Sequence, residues 1–143
     1  MFRSITAAFA LSLALSGAAF AEVHEVRMLN RGAEGAMVFE PAALRVAEGD
    51  TVRFVAADRG HNAEVVDGML PEGATAFSGR INEEIEVILD VPGFYGIRCT
   101  PHFAMGMVMV IAVGDAEAPG EDFLAGRIPA RALARFEAAL SAL

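Results

Sequence analysis

From Val23 onward, apolar and polar residues alternate in short runs broken by glycine, proline and acidic turn residues. A period of two is the signature of half-buried strands. Val23 to Leu29 reads as the first, with Val26 and Met28 facing inward and Glu25 and Arg27 outward. His24, at its start, reads as an exposed surface histidine. Asn30 to Ala36 holds two glycines and reads as a loop. Met37-Val38-Phe39 is a short apolar run punctuated by Pro41, and Leu44-Arg45-Val46 alternates again. After the turn Glu48-Gly49-Asp50, Thr51 to Ala56 predicts a strand with Val52 and Phe54 on one face. Gly68 to Gly73 is a turn-rich crossover. Ile85, Val87 and Leu89 alternate with Glu84, Glu86 and Ile88. Beyond Pro92-Gly93, Tyr95, Ile97 and Cys99 share one strand face, which points the thiol inward. Val108 to Val113 is apolar throughout, as a strand buried on both faces would be. Short strands separated by turns predict an all-β fold, an antiparallel β-sandwich with Greek-key links.

The two ends of the chain differ from this middle. Glu121 and Asp122 follow Gly120, and acids suit the N-terminus of a helix. Gly126 can end that short helix and Pro129 can open a second. In the second, Leu133, Phe136, Leu140 and Leu143 fall on one face. Two C-terminal α-helices packed on the sandwich are therefore expected. At the other end, Arg3 precedes an apolar stretch from Ile5 to Gly17 and a small-residue site, Ala19-Phe20-Ala21. That pattern predicts a secretory signal peptide over residues 1–21 and a mature domain over 22–143. The apolar run is too short for a membrane anchor. Export, most simply to a bacterial periplasm, is the expectation.

Composition narrows the function. At 143 residues, 55% of them hydrophobic, the chain suits one domain with an ample core. The net charge of −8 disfavours nucleic acid and anionic membranes as partners. There is no lysine, so all 11 basic side chains are arginine. The one cysteine cannot form an intramolecular disulfide in an oxidising compartment. A bound metal would occupy it.

Candidate chemistry lies in Cys99-Thr100-Pro101-His102-Phe103-Ala104-Met105-Gly106-Met107, with Gly60-His61-Asn62 upstream. His61, Cys99, His102 and Met107 offer two imidazoles, a thiolate and a thioether. That is the ligand set of a type 1 copper site, trigonal His2Cys with a weak axial Met. Thiolate suits Cu(I) and imidazole suits both oxidation states. Gly60 suits close backbone approach at a crowded site. Pro101 has no N–H with which to donate to the sulfur.

Together with Glu34-Gly35-Ala36-Met37-Val38-Phe39-Glu40-Pro41, Pro71-Glu72-Gly73-Ala74 and Ile111-Ala112-Val113-Gly114-Asp115, these residues resemble the cupredoxins. Within them they resemble the pseudoazurin group, over a match from about Glu22 to the C-terminus. The resemblance implies one copper ion, a soluble one-electron carrier and no enzymatic activity. It places the axial ligand at Met107 rather than Met105. It implies that the Asn62 side chain ties the His61 loop to the Cys99 loop and that the Asn62 backbone N–H faces the sulfur. Met37 resembles the residue that packs on the exposed imidazole, and His102 is expected to be the electron's door. Implied partners are a reductase such as copper nitrite reductase, or a c-type cytochrome, met through basic residues around an apolar patch. Arg27, Arg31, Arg59, Arg80 and Arg98 are the candidates for that ring. The chain is read as a monomer. A periplasmic copper-binding or chaperone module is the alternative, and an enzyme would need a second metal or an open position.

Overall fold

The computed structural model describes residues 20–143, so the signal peptide expected over 1–21 lies almost wholly outside the described residues. Among the described residues, eight strands form two four-stranded sheets. They are β1 (Val23–Gly32), β2 (Gly35–Glu40), β3 (Ala43–Val46), β4 (Asp50–Val55), β5 (Glu64–Val65), β6 (Ile85–Leu89), β7 (Gly93–Arg98) and β8 (Val108–Val113). The sheet orders are β2-β1-β4-β6 and β3-β8-β7-β5. Alternation sorts side chains as expected. Val26, Met28, Val52, Phe54, Tyr95 and Ile97 all reach the core between the sheets. β8 is buried on both faces: Met109, Ile111 and Val113 enter that core, while Val108, Val110 and Ala112 face a second one.

The sheets are mixed rather than purely antiparallel. β1 runs parallel to β4, and β3 parallel to β8. The chain leaves the first sheet after β2, lays β3 on the second and returns as β4, a crossover that permits parallel pairing. Asn30–Ala36 is not an open loop. Gly32 pairs with Gly35, so the strands close in a tight hairpin, and Gly35 supplies the positive φ of +122°.

The C-terminal segment forms one helix among the described residues, α1 (Ala130–Ser141). The shorter helix expected near Glu121 is instead a pair of turns, with Phe123 N–H donating to Gly120 O and Ala125 N–H to Asp122 O. Phe123 anchors this stretch edge-on to Phe94. The expected face of α1 does pack inward: Phe136 is buried with Ala132 and Ala139, and Leu140 and Leu143 pack against the same cluster, while Leu133 stays outside it. This face covers the outer face of β8. His24 is not freely exposed either: its Nε2 lies 2.8 Å from the buried Asp50 carboxylate.

Strand direction places the site. β4 and β7 both end where the His61 and Cys99 segments begin, and β8 starts at the same end. Asp50 at the start of β4 and Asp115 beyond β8 therefore lie at the opposite end of the sandwich.

Candidate metal centre

Cys99 directly follows β7, on the face shared by Tyr95 and Ile97, and is fully buried among them. The next residues tighten into a 3₁₀ helix, Thr100–Met105, opened by Pro101 and closed by Gly106 at φ +87°. His102 N–H donates to Cys99 O, Met107 N–H to His102 O and Cys99 N–H to Met107 O. These bonds fold the segment so that the side chains of Cys99, His102 and Met107 come from one short turn. The 3₁₀ geometry was not legible from residue types.

His61 arrives from the β4–β5 connection, buried to 0% exposure. Its Nδ1 lies 3.1 Å from His102 Nδ1 and 3.7 Å from Cys99 Sγ, and His102 Nδ1 lies 3.5 Å from Sγ. The point equidistant from the three donor atoms is about 2.0 Å from each, close to the roughly 2.0–2.3 Å of metal–imidazole and metal–thiolate bonds. The triangle is thus sized for one soft transition-metal ion. Met107 is also fully buried, in the same core as Cys99, whereas Met105 is 42% exposed.

The surroundings orient these donors. His61 Nε2–H donates to Asn30 Oδ1 at 2.9 Å, which leaves Nδ1 bare and aimed at the other two donors. Burial, then the nearby His102, push the His61 pKa down, which favours the neutral ring. Burial pushes the Cys99 thiol up, opposed by the backbone N–H groups of Asn62 and His102. An ion that binds thiolate would displace this proton. The Asn62 side chain bridges the two loops as expected. Its Oδ1 accepts Thr100 N–H at 2.7 Å, and its Nδ2 donates to Thr100 Oγ1 and Gly79 O, both at 3.0 Å. Thr100 Oγ1–H in turn donates a hydrogen bond to Glu64 Oε2, and Glu64 also pairs with Arg98 at 2.6 Å. Gly60 has a different role from the one expected. Nothing crowds the position of its missing Cβ, and the residue is required by its φ of +95°.

Asn30, Glu64 and Thr100 were missed because no local spacing marks them. Glu64 meets Arg98 only through the β5–β7 register. Of the arginines, Arg31, Arg59, Arg80 and Arg98 lie on segments at the site end, while Arg27 sits mid-strand on β1. Arg98 is spent on Glu64 and on the Phe103 ring, 5.3 Å away, and Arg80 pairs with Glu83. Arg31 and Arg59 are exposed and make no ion pair among the described residues.

A two-sheet Greek-key sandwich with a buried Cys and two converging imidazoles at one end defines a cupredoxin. Residues 26–114 match the copper-binding proteins of the plastocyanin/azurin family. The chain is 46% identical to a pseudoazurin of Paracoccus pantotrophus over 97% of its length and 96% of that protein. It is 43% identical to a putative pseudoazurin of Rhizobium leguminosarum, over 98% and 91%. The solved pseudoazurin of Methylobacterium extorquens AM1 superposes with a TM-score of 0.78 at 35% identity, covering 84% of this chain and 98% of that one. A Sinorhizobium pseudoazurin gives the same TM-score at 44% identity, covering 84% and 94%. The chain belongs to the pseudoazurins, within the cupredoxin family. It is an electron carrier and not an enzyme, and its cofactor is one type 1 copper ion.

Proposed function

We propose that His61, Cys99, His102 and Met107 hold the copper, with Met107 as the weak axial donor, and that the protein ferries single electrons to a reductase in the periplasm. When bound, the ion supplies a Cu(II)/Cu(I) couple at one site. The observation that carries this reading is the triangle of His61, Cys99 and His102 donors at 3.1–3.7 Å, all three residues buried or half-buried. His61 is locked by Asn30, and Cys99 by the backbone of its own turn. Such bracing limits movement when the ion changes charge. His102 is the half-buried member and sits beside Pro101, Phe103 and Ala104. Its ring edge is the route by which an electron leaves.

The reductase we favour is a copper nitrite reductase, with a c-type cytochrome as the other redox partner. The protein meets them as a monomer through a small, short-lived contact, as turnover demands. Arg31 and Arg59 supply the free positive charge of that face. A signal peptide over 1–21 delivers the domain 22–143 to the periplasm. No helix among the described residues is long and apolar enough to cross a membrane. A copper chaperone is the less favoured reading, because a deeply buried thiolate braced on all sides does not suit handover of the ion.

The test is stopped-flow oxidation of the reduced protein by copper nitrite reductase at rising ionic strength, with Arg59→Glu beside wild type. Screening shortens the charge field to about 8 Å at physiological salt, so the rate should fall with salt and fall further in the variant. A flat salt profile with an unaffected variant would remove the arginine face. No transfer at all to either class of partner would remove the carrier role in this pathway.

A further inference from the structure

α1 is more than a cover for β8. Arg135 reaches from its inner edge to three backbone carbonyls on two other segments. Nη1 donates to Met37 O at 2.8 Å and to Gly106 O at 2.9 Å, and Nη2 donates to Ala36 O at 3.1 Å. Gly106 immediately precedes Met107. Met37 lies on β2, just past the turn of the β1–β2 hairpin, packed against the core that holds Cys99 and Met107.

Both anchored positions are unusual. Met37 takes a φ of +52°, a left-handed conformation that is strained for any residue with a side chain. Such a conformation persists where neighbours fix it. Gly106 takes a φ of +87°, and a Cβ there would lie 3.0 Å from Arg135 Cδ and 3.1 Å from Arg131 Cγ and Arg131 O. The ligand turn is therefore pressed directly against α1. A planar guanidinium can serve several acceptors in a fixed fork, whereas an ammonium is a point charge on a flexible stem.

We propose that Arg135 is a positioning residue of the copper centre: its guanidinium clamps the Met37 segment to the Gly106–Met107 segment, so that the C-terminal helix sets the axial side of the site. The inference rests on the reading of Met107 as the axial ligand. It gives the helix a role that the cupredoxin sandwich alone does not supply.

The test uses the full mature protein loaded with copper, as wild type, Arg135→Ala and Arg135→Lys, with Glu137→Ala as a control on an exposed turn of the same helix. Four readouts are taken: the visible charge-transfer spectrum, the reduction potential, the electron self-exchange rate and the urea midpoint. Arg135→Ala should shift the spectrum and the potential and slow self-exchange by about two- to thirtyfold. Arg135→Lys should recover part of this, and free guanidinium at non-denaturing concentration should recover part of it in Arg135→Ala. The loss should also shrink in a Met37→Gly background, where the left-handed conformation needs no support. A fall in the urea midpoint alone, with spectrum, potential and self-exchange unchanged, would overturn the inference and leave Arg135 a purely structural residue. If Arg135→Ala fails to fold, Arg135→Lys and Met37→Gly decide by the same readouts. A wild-type protein lacking the thiolate band would instead sink the ligand reading beneath it.

Discussion

Substitution at Met107 separates packing from ligation. The side chain is 0% exposed and sits in the main core, so removing it altogether by Met107→Ala should cost the apoprotein about 2–5 kcal/mol. Met107→Leu keeps the volume and should cost less than about 1.5 kcal/mol. Met107→Gln keeps the length but buries an amide in that core, adding about 1–3 kcal/mol in the apoprotein for each amide group left unpaired. With copper present, the amide oxygen gains a partner, so the gap between the Gln and Leu variants should narrow. The potential should move in opposite directions. On the proposed ligation, Leu takes away the axial donor and should raise it, while Gln offers a harder donor that favours Cu(II) and should lower it. Each tenfold change in the relative affinity for the two oxidation states is about 59 mV for one electron, and one to two such steps is the expected scale. Met105→Gln is the control: at 42% exposure, it should change stability by less than about 0.5 kcal/mol and leave the potential alone. The assays are urea unfolding of apo and copper-loaded protein and direct electrochemistry. If Met107→Leu left the potential unchanged while Met105→Gln moved it, the axial assignment would be wrong.

Other outcomes follow from the same geometry. Asn62→Ala leaves Thr100 N–H and Gly79 O without their partner, so urea unfolding should show a loss of about 1–3 kcal/mol per buried group left unpaired; a loss under about 0.5 would mean that water replaces the amide. Asp50 is held below the usual carboxylate range by Glu22 N–H, then by His24 and Ala47 N–H. Its depressed pKa adds stability above the unfolded value of about 3.9 that is lost as pH falls through the folded value. Asp50→Asn should therefore lower the melting temperature near neutrality by an amount that shrinks in acid, and a gap that stays constant down to strongly acid pH would refute this. Gly96→Ala would place a Cβ 2.4 Å from Met69 Cε and 2.9 Å from Met69 Cβ, so overpacking should cost about 1–3 kcal/mol; an unchanged urea midpoint would show that Met69 simply moves aside.

Much of this was legible in the chain itself because the signals were local. Alternation placed Val26, Met28, Val52 and Phe54 inward, and the unbroken apolar run of β8 did announce burial on two faces. The spacing of Cys99, His102 and Met107 marked one turn, and Gly-His-Asn marked its counterpart. What stayed hidden depends on contacts distant in sequence. Asn30 orients His61 from 31 positions away, and Arg135 reaches Met37 across 98. His24 looked exposed because its partner Asp50 belongs to another strand. The hairpin at Gly32–Gly35 was read as a loop because glycine both breaks strands and closes tight turns, and only pairing decides which. The helix expected at Glu121 had favourable charges but too few residues before Gly126 to nucleate.

The central claim is that Cys99 binds copper as a thiolate within a ring of two imidazoles. The visible spectrum of the mature protein loaded with Cu(II), beside Cys99→Ser, tests it most directly. An intense thiolate-to-copper charge-transfer band in wild type, absent from Cys99→Ser, is the predicted result. A wild-type Cu(II) protein with only weak ligand-field absorption, or a band that survives in Cys99→Ser, would contradict it.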